Sequence, residues 1–355
     1  MKRVQQSFVI LAMLAMVAGC SNFNFISMKS GADFMPFVEN GKVGFLDPQM
    51  NVLLQPQLSY QEALRSNVWP YHFSEGLAAV QKDGKIGYIN TNGNMAIDAR
   101  YNWGGNFSEG LARVRVDGKY GFINQSGRMV IEPQFSRAGD FSDGLVRVLK
   151  QKASGRKGWG YIDKNGDMII PANYIDARDF SEGLAAVQTS THREWGYIDT
   201  DGKMVIKPQY PQAYSFSEGK AAVELEYKQL GYINPKARVV IPSTYLDAGK
   251  FHEGKAVVSM PDDNANLDVK HYGYIDTTGE FFVDPKFDKA FAFSDSLARV
   301  VKGHKYGYVN RYGKFIIQPM FDHAWDFHKG AALVEVKGRY AYINTEGIFI
   351  RDPSR

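Results

Sequence analysis

The sequence predicts an all-β fold built as a repeat array of about nine three- to four-stranded antiparallel meanders. Three observations carry this. A phrase of Gly, aromatic, aliphatic, then Asn or Asp recurs nine times, from Gly44-Phe45-Leu46-Asp47 and Gly87-Tyr88-Ile89-Asn90 to Gly307-Tyr308-Val309-Asn310, closing with Ala341-Tyr342-Ile343-Asn344. The copies are 34 to 43 residues apart, a spacing that marks a repeat architecture. Aromatic residues make up 14% of the chain and glycines number 35, which suits many short strands joined by tight turns.

The stretch from Phe107 to Phe135 shows the unit element by element. Phe107-Ser108-Glu109-Gly110 opens it as a turn. Leu111 to Val116 alternates Ala112, Val114 and Val116 with Arg113 and Arg115, the pattern of a half-buried strand. Asp117-Gly118 supplies the positive-φ pair of a two-residue hairpin turn. Lys119 to Asn124 is the second strand. Asn124 to Gly127 turns again, because an Asn side chain bonds backbone two residues on. Arg128 to Ile131 is a third strand closed by Pro133, and a short segment from Gln134 to Asp140 leads to the next opening turn. Glycine weakens a strand interior, so its recurrence in the second strand implies that a side chain or another backbone crosses it closely.

Such meanders close radially as a β-propeller or stack into an open β-superhelix; closure leaves only short protected edges. Nothing in the ends suggests a closing sheet shared between them. Phe34 to Gln55 supplies three strands of its own and Ala331 to Ile350 three more.

The N-terminus reads as an export signal. Lys2 and Arg3 precede an apolar run from Phe8 to Val17, which at about ten residues is too short to span a bilayer of roughly 30 Å as a helix. Val17-Ala18-Gly19-Cys20 resembles the lipobox of bacterial lipoproteins, and Cys20 is the only cysteine, so no intramolecular disulfide forms. The resemblance implies lipidation of Cys20 and cleavage before it. Ser21, rather than Asp, follows, which by the same analogy favours the outer membrane. The expected organisation is a signal peptide at 1–19, a polar tether at 20–33 and the array at 34–355. Removal of Lys2 and Arg3 leaves 40 basic and 38 acidic residues, with no block of five like charges and hence no nucleic-acid footprint.

The repeated residues resemble the WG repeat family of bacterial proteins. The name-giving pair stands at Trp159-Gly160 and Trp195-Gly196; tyrosine takes the Trp place at Tyr120, Tyr272, Tyr306 and Tyr340, and Val43, Ile86 and Leu230 depart from it. The resemblance spans roughly residues 34–350. It implies a β-rich array and no catalytic residues.

Candidate chemistry is sparse. The insertions 58–72, 151–157 and 261–269 carry Trp69-Pro70-Tyr71, basic residues, and Asp262, Asp263 and Asp268 respectively. Scaffold loops are where binding residues usually sit, although repeats also drift in length. His323 and His328, with Asp322 and Asp326, offer a weak metal suggestion beside a reading as surface or turn histidines. The Asn/Asp-x-x-Gly turns hold too few carboxylates for calcium. The Ser-Glu-Gly turns lack the nucleophile-elbow frame, and their repetition argues for structure. The Trp/Tyr stripe reads as core between sheets, or as a groove that stacks on sugars or peptides. No catalytic, metal or cofactor residue is assigned. The expected function is a membrane-anchored, non-enzymatic scaffold that binds a protein or glycan of the bacterial envelope. Its rivals are an envelope hydrolase or lyase with a site in the propeller mouth, and a purely structural component. Convergent Asp, Glu, His or Arg residues from several repeats would favour the enzyme.

Overall fold

The computed structural model describes residues 35–39, 42–46, 51–59, 73–151, 155–190, 193–261 and 270–351. Among them there is no helix, and 33 strands form nine small antiparallel sheets, each of three or four strands taken in chain order. These sheets, numbered as blades, cover 35–59, 77–101, 103–135, 137–174, 176–210, 221–245, 247–287, 289–321 and 323–351. Blade 4 has the full pattern: a lead strand Arg137–Ala138, hairpin strands Val146–Gln151 and Lys157–Ile162, and a return strand Met168–Tyr174.

Local chemistry sets the turns. Asp117 and Gly118 both take positive φ, 46° and 79°, matching the right-handed twist of the strands they join. At the next turn, the Asn124 side-chain oxygen accepts hydrogen bonds from the Ser126 and Arg128 backbone N–H groups.

The return strand departs from the sequence reading. Pro133 does not end it: the strand runs from Met129 to Phe135. Ile131 lies opposite Phe122 and Phe135 opposite Tyr120, so four steps along one strand face two along the other. The excess bulges out, and Pro133 sits in the bulge, where no ladder N–H is required. The bulge explains the recurrent glycine. A Cβ on Gly87, Gly121, Gly160, Gly231, Gly273 or Gly307 would lie 2.5–2.7 Å from the return-strand carbonyl oxygen of Ile97, Ile131, Ile170, Ile241, Val283 or Ile317. The crossing element is another backbone, as one of the two sequence expectations held. The short segment after the return strand is also more than a linker: Arg137–Ala138 pairs with Val148 and Leu149 as the lead strand of the next blade.

The blades stack face to face in a ring, and each interface is a separate apolar core. Between blades 3 and 4 it holds Phe122, Ile131 and Phe135 from one and Phe141, Val146, Val148 and Ile162 from the other. The same pattern closes the ring: Phe37 and Leu46 of blade 1 pack on Trp325, Leu333 and Tyr342 of blade 9. No strand is shared across this seam, since blade 1 is built from the N-terminal end and blade 9 from the C-terminal end. The fold is therefore a β-propeller, and the superhelix alternative is set aside.

Face-to-face stacking corrects one further expectation. The Arg113 side of its strand is not a solvent face, because each blade is covered on both sides. Arg113 is mostly buried, and its equivalent Arg299 is 1% exposed.

Gly160→Ala should destabilise the ring by about 1–3 kcal/mol through backbone overpacking. Gly144→Ala has open space around it and carries only the strain of its positive φ, so it should lose less. Paired denaturant titrations read the difference; equal losses would refute the crossing as the reason for the glycine.

Candidate functional site

The repeated motif is best understood at the seams between blades. The opening-turn phenylalanine is buried and packs edge-on against the aromatic ring of the preceding blade, as in Tyr161–Phe180, with ring centres 4.8 Å apart, and Tyr308–Phe327, at 4.7 Å. The serine donates to the carbonyl of the next blade's phenylalanine. Ser74 to Phe107, Ser108 to Phe141, Ser181 to Phe216, Ser217 to Phe251 and Ser294 to Phe327 all lie at 2.6–2.8 Å. The acidic residue, held at positive φ, accepts from the backbone N–H of the next blade's turn: Glu75 from Gly110, Glu109 from Gly144, Asp143 from Gly183, Glu182 from Gly219, Glu218 from Gly254 and Asp295 from Gly330. Equivalent residues of neighbouring repeats come this close only toward the inner rim of a ring. The turns thus form a chain of hydrogen bonds from blade 2 to blade 7, with a further link from blade 8 to blade 9, and the expectation that Ser-Glu-Gly is structural holds at these turns.

The tyrosine after the conserved glycine does the same work deeper in the seam. Tyr88, Tyr161, Tyr197, Tyr232, Tyr274 and Tyr308 each donate to the backbone carbonyl seventeen residues on, in the next blade, at 2.6–2.9 Å. Burial raises the pKa of every one of these phenols, so they stay protonated donors. Trp159 and Trp195 lie in the same cores as Tyr161 and Tyr197. At these positions the aromatic stripe is core rather than groove.

What the repeats do not share is more individual. Arg113, Arg147 and Arg299 occupy one position in blades 3, 4 and 8. Each donates to an alanine carbonyl of the next blade, Ala138, Ala177 and Ala324, and pairs with that blade's aspartate, Asp140, Asp179 and Asp326. Blade 5 has Ala186 at this position. Arg178 of its lead region fills the gap, donating to the matching Ala213 carbonyl. Aromatic rings flank these cations: Trp103 and Tyr120 beside Arg113, Trp159 beside Arg147, Trp195 and Tyr214 beside Arg178, and Phe291 at 3.7 Å from Arg299. Burial pushes the Asp140 and Asp326 carboxyls up in pKa against the opposing pull of Arg113 and Arg299.

This is the convergence of charged residues that would favour an enzyme, and sequence reading missed it. The signal was present as Leu-Ala-Arg-Val or Leu-Val-Arg-Val in one repeat followed by Asp-Phe in the next. In the structure, however, each arginine is engaged with its neighbour's backbone, and Arg113, Arg147 and Arg299 with a carboxylate as well, so the set ties blades together.

A second cluster is unique to blade 7. Asp247 accepts from Ser259 Oγ at 3.0 Å, from Lys270 Nζ at 3.1 Å and from Tyr272 Oη at 2.9 Å. Burial alone would raise the Asp247 pKa; the bonds from Lys270, Tyr272 and Ser259 outweigh it and hold the carboxyl below the usual range. Tyr272 is pushed up to about 12 by burial and by its bond to Asp247. Ser259 is fully buried, a brace rather than an accessible nucleophile.

The two histidines do not form a metal pair. His323 lies between Tyr306, at 4.9 Å, and Trp325, at 4.4 Å, while His328 replaces the serine of an opening turn. Among the described residues, no group of three His, Cys, Asp or Glu side chains is placed to hold a metal ion. Cys20, the tether, Trp69-Pro70-Tyr71 and the aspartates 262, 263 and 268 lie outside the described residues.

Two outcomes test these assignments. Arg299→Met should cost about 2 kcal/mol or more, by leaving a carbonyl and a half-buried carboxylate without their donor, whereas exposed Arg128→Met should stay within about 0.5 kcal/mol. For Asp247, the folded pKa lies below the unfolded 3.8, so its stabilisation is present above that value and lost as pH falls through the folded pKa. Asp247→Asn should therefore lower the melting temperature at pH 7 and narrow its gap to wild type as the pH drops below 3.8. A gap that stays constant would refute the network.

The family model described as WG containing repeat matches residues 44–85, 86–120, 120–152, 159–190, 195–228, 231–261, 272–306 and 306–340. Among curated proteins, no sequence matches the chain. Three solved structures are similar to it at low identity. BamB from Moraxella catarrhalis has a TM-score of 0.44 and 12% identity, over 78% of this chain and 93% of that one. Dihydro-heme d1 dehydrogenase NirN in complex with DHE has a TM-score of 0.45 and 11% identity, over 94% of this chain and 74% of that one. Kluyvelomyces marxianus Hsv2 has a TM-score of 0.36 and 12% identity, over 66% of this chain and 91% of that one. The eight matched segments start at or beside the glycine of a second hairpin strand and run to the next blade, and with them covering most of its length this chain belongs to the WG repeat family.

Proposed function

We propose that the protein is a membrane-anchored, non-enzymatic scaffold of the bacterial envelope, held by lipid on Cys20 in the outer membrane and presenting its ring to a protein or glycan. One observation carries this reading. The reactive groups of the repeated motif, the Ser hydroxyl, the acidic side chain and the Tyr hydroxyl, are engaged with the next blade, and the convergent arginines are engaged there too. The ring is thereby stiffened without dedicating a repeated residue to chemistry. Its function falls to the exposed, non-repeated surface, as is usual for repeat scaffolds.

The convergent Arg and Asp residues are the observation that favours the rival, an envelope hydrolase or lyase. Asp140, Asp179 and Asp326 keep side-chain exposures of 52%, 42% and 42%. An enzymatic reading requires that a substrate displace their arginine partners.

Two measurements test the scaffold. Mass spectrometry of the mature protein should find an acylated N-terminal Cys20, and Cys20→Ser should move the protein to the soluble fraction; an unmodified cysteine would remove the anchor. Affinity capture from solubilised envelopes should retain the same protein or glycan with wild type and with a form beginning at Ser21. Retention of nothing by either form would overturn the scaffold reading and bring the enzyme and structural alternatives forward.

A further inference from the structure

The near-neutral sequence conceals an uneven placement of basic residues. Every blade stands in the same orientation, so all hairpin tips emerge at one end of the ring and all opening turns at the other. The opening-turn end carries both signs: Glu75, Glu109, Asp143, Glu182 and Glu218, which hold the next blade's N–H groups, and exposed Lys164, Lys203, Lys236, Lys314 and Lys329 beside them.

The hairpin end is basic over one arc. Blade 2 places Lys82 and Lys85 there, blade 3 Arg115 and Lys119, and blade 4 Lys150, Arg156 and Lys157, all exposed. Across the closing seam, blade 8 adds Lys302 and Lys305 and blade 9 adds Lys337 and Arg339, again exposed. The acids at this end are Asp83 and Asp117 in the tips themselves, Asp288, which accepts from the Gly303 N–H of the blade 8 tip, Asp322, which Lys305 already engages, and half-buried Glu335 of blade 9, so the basic residues outnumber them about two to one. The run stops at blade 5, where Glu194 follows Arg193, and blade 6 brings Glu224 and Glu226 against Lys228. The basic arc thus flanks blade 1 on both sides, and blade 1 is where the chain from Cys20 arrives, at Met35. Trp103 sits within the arc, opposite Arg115 in the sheet, and is 38% exposed although it belongs to a protein whose other tryptophans described here are buried.

We propose that this arc is a docking surface for an anionic phospholipid bilayer, which sets the orientation of the ring on the membrane. Lysines and arginines scattered over five blades, with no apolar pocket among the residues named, suit a diffuse sheet of headgroup charge better than the compact centre of a protein interface. An exposed tryptophan amid them is the side chain that settles at headgroup depth. The chain enters blade 1 at the opening-turn end, yet this does not hold that end to the membrane. The fourteen residues between Cys20 and Met35 extend to about 45 Å, against about 20 Å for a six-residue strand. A single lipid-modified terminus tethers without orienting; a basic patch supplies the second contact.

The proposal builds on the envelope reading but is tested without the lipid. The form beginning at Ser21, which contains every described sheet, is co-sedimented with vesicles of phosphatidylcholine alone or mixed with phosphatidylglycerol. Binding should appear only with phosphatidylglycerol and fall steeply with salt. Lys82→Glu/Lys119→Glu/Lys150→Glu should weaken it about tenfold or more. Lys203→Glu/Lys236→Glu/Lys314→Glu, the same change in charge at the opposite end, should leave it near wild type, and matching thermal melts confirm that both variants fold. Equal binding to both vesicle types, binding to neither, or equal loss in the two variants would overturn the proposal. None of these results bears on the Cys20 mass or on partner capture, so the two readings fail separately.

Discussion

The ring depends on the passage of the return strand across a bare Cα in blades 2 to 8. At Gly121 the backbone of Ile131 to Pro133 occupies the space a side chain would need. This crossing lets the strand leave the edge of its own sheet and, after a single residue, start the lead strand of the next, as from Phe135 to Arg137. A side chain at the glycine would force the strand outward, and the register from Ile131 to Phe135 would be lost. The bulge, the proline within it and the direct step between blades all follow from that one close approach. Once the chain is delivered to the next blade, the Tyr contact falls seventeen residues on and the Ser and Glu or Asp contacts 33 to 40 residues on.

Much of this was legible in the chain. The period gave the blade count, Asp-Gly pairs gave the hairpins, and the out-of-place glycine gave the crossing. The return strand was misjudged because Pro133 reads as a terminator when only local propensity is considered; the bulge that accommodates it depends on the partner strand. Arg113 was placed toward solvent because alternation reports two faces but not what covers them. In a ring both faces meet protein, so a polar residue on the second face needs a partner, and Arg113 finds Ala138 and Asp140. The Arg–Asp set was invisible for a related reason. Its members lie in different repeats, and each alone is an ordinary charged residue.

The distinction between repeated and individual residues also organises function. A group that recurs in every blade is under the same geometric demand in every blade, and here that demand is met by the neighbour. Asp247 with Lys270 and Tyr272, Trp103 among the basic tips, and His323 between two rings occur once each. Nothing in the scaffold requires them to recur. Departures from the repeat, such as Ala186 with its stand-in Arg178, show that the seam can be rebuilt from a different position when the usual residue is lost.

The seam between blades 9 and 1 has a kinetic meaning. Nearly every other inter-blade contact joins residues some 17 to 40 positions apart, so each blade can dock as soon as the next has emerged and formed. The contact of Phe37 and Leu46 with Tyr342 cannot form until almost the whole chain is present. Folding is then a run of local steps ended by one distant closure, and closure is the step in which loop entropy is largest. Because it joins two complete sheets by their faces, without a strand exchanged between the ends, an unclosed ring exposes an apolar face on blade 1 and another on blade 9. Those two surfaces are the place where an incomplete or truncated chain would first be recognised as unfinished.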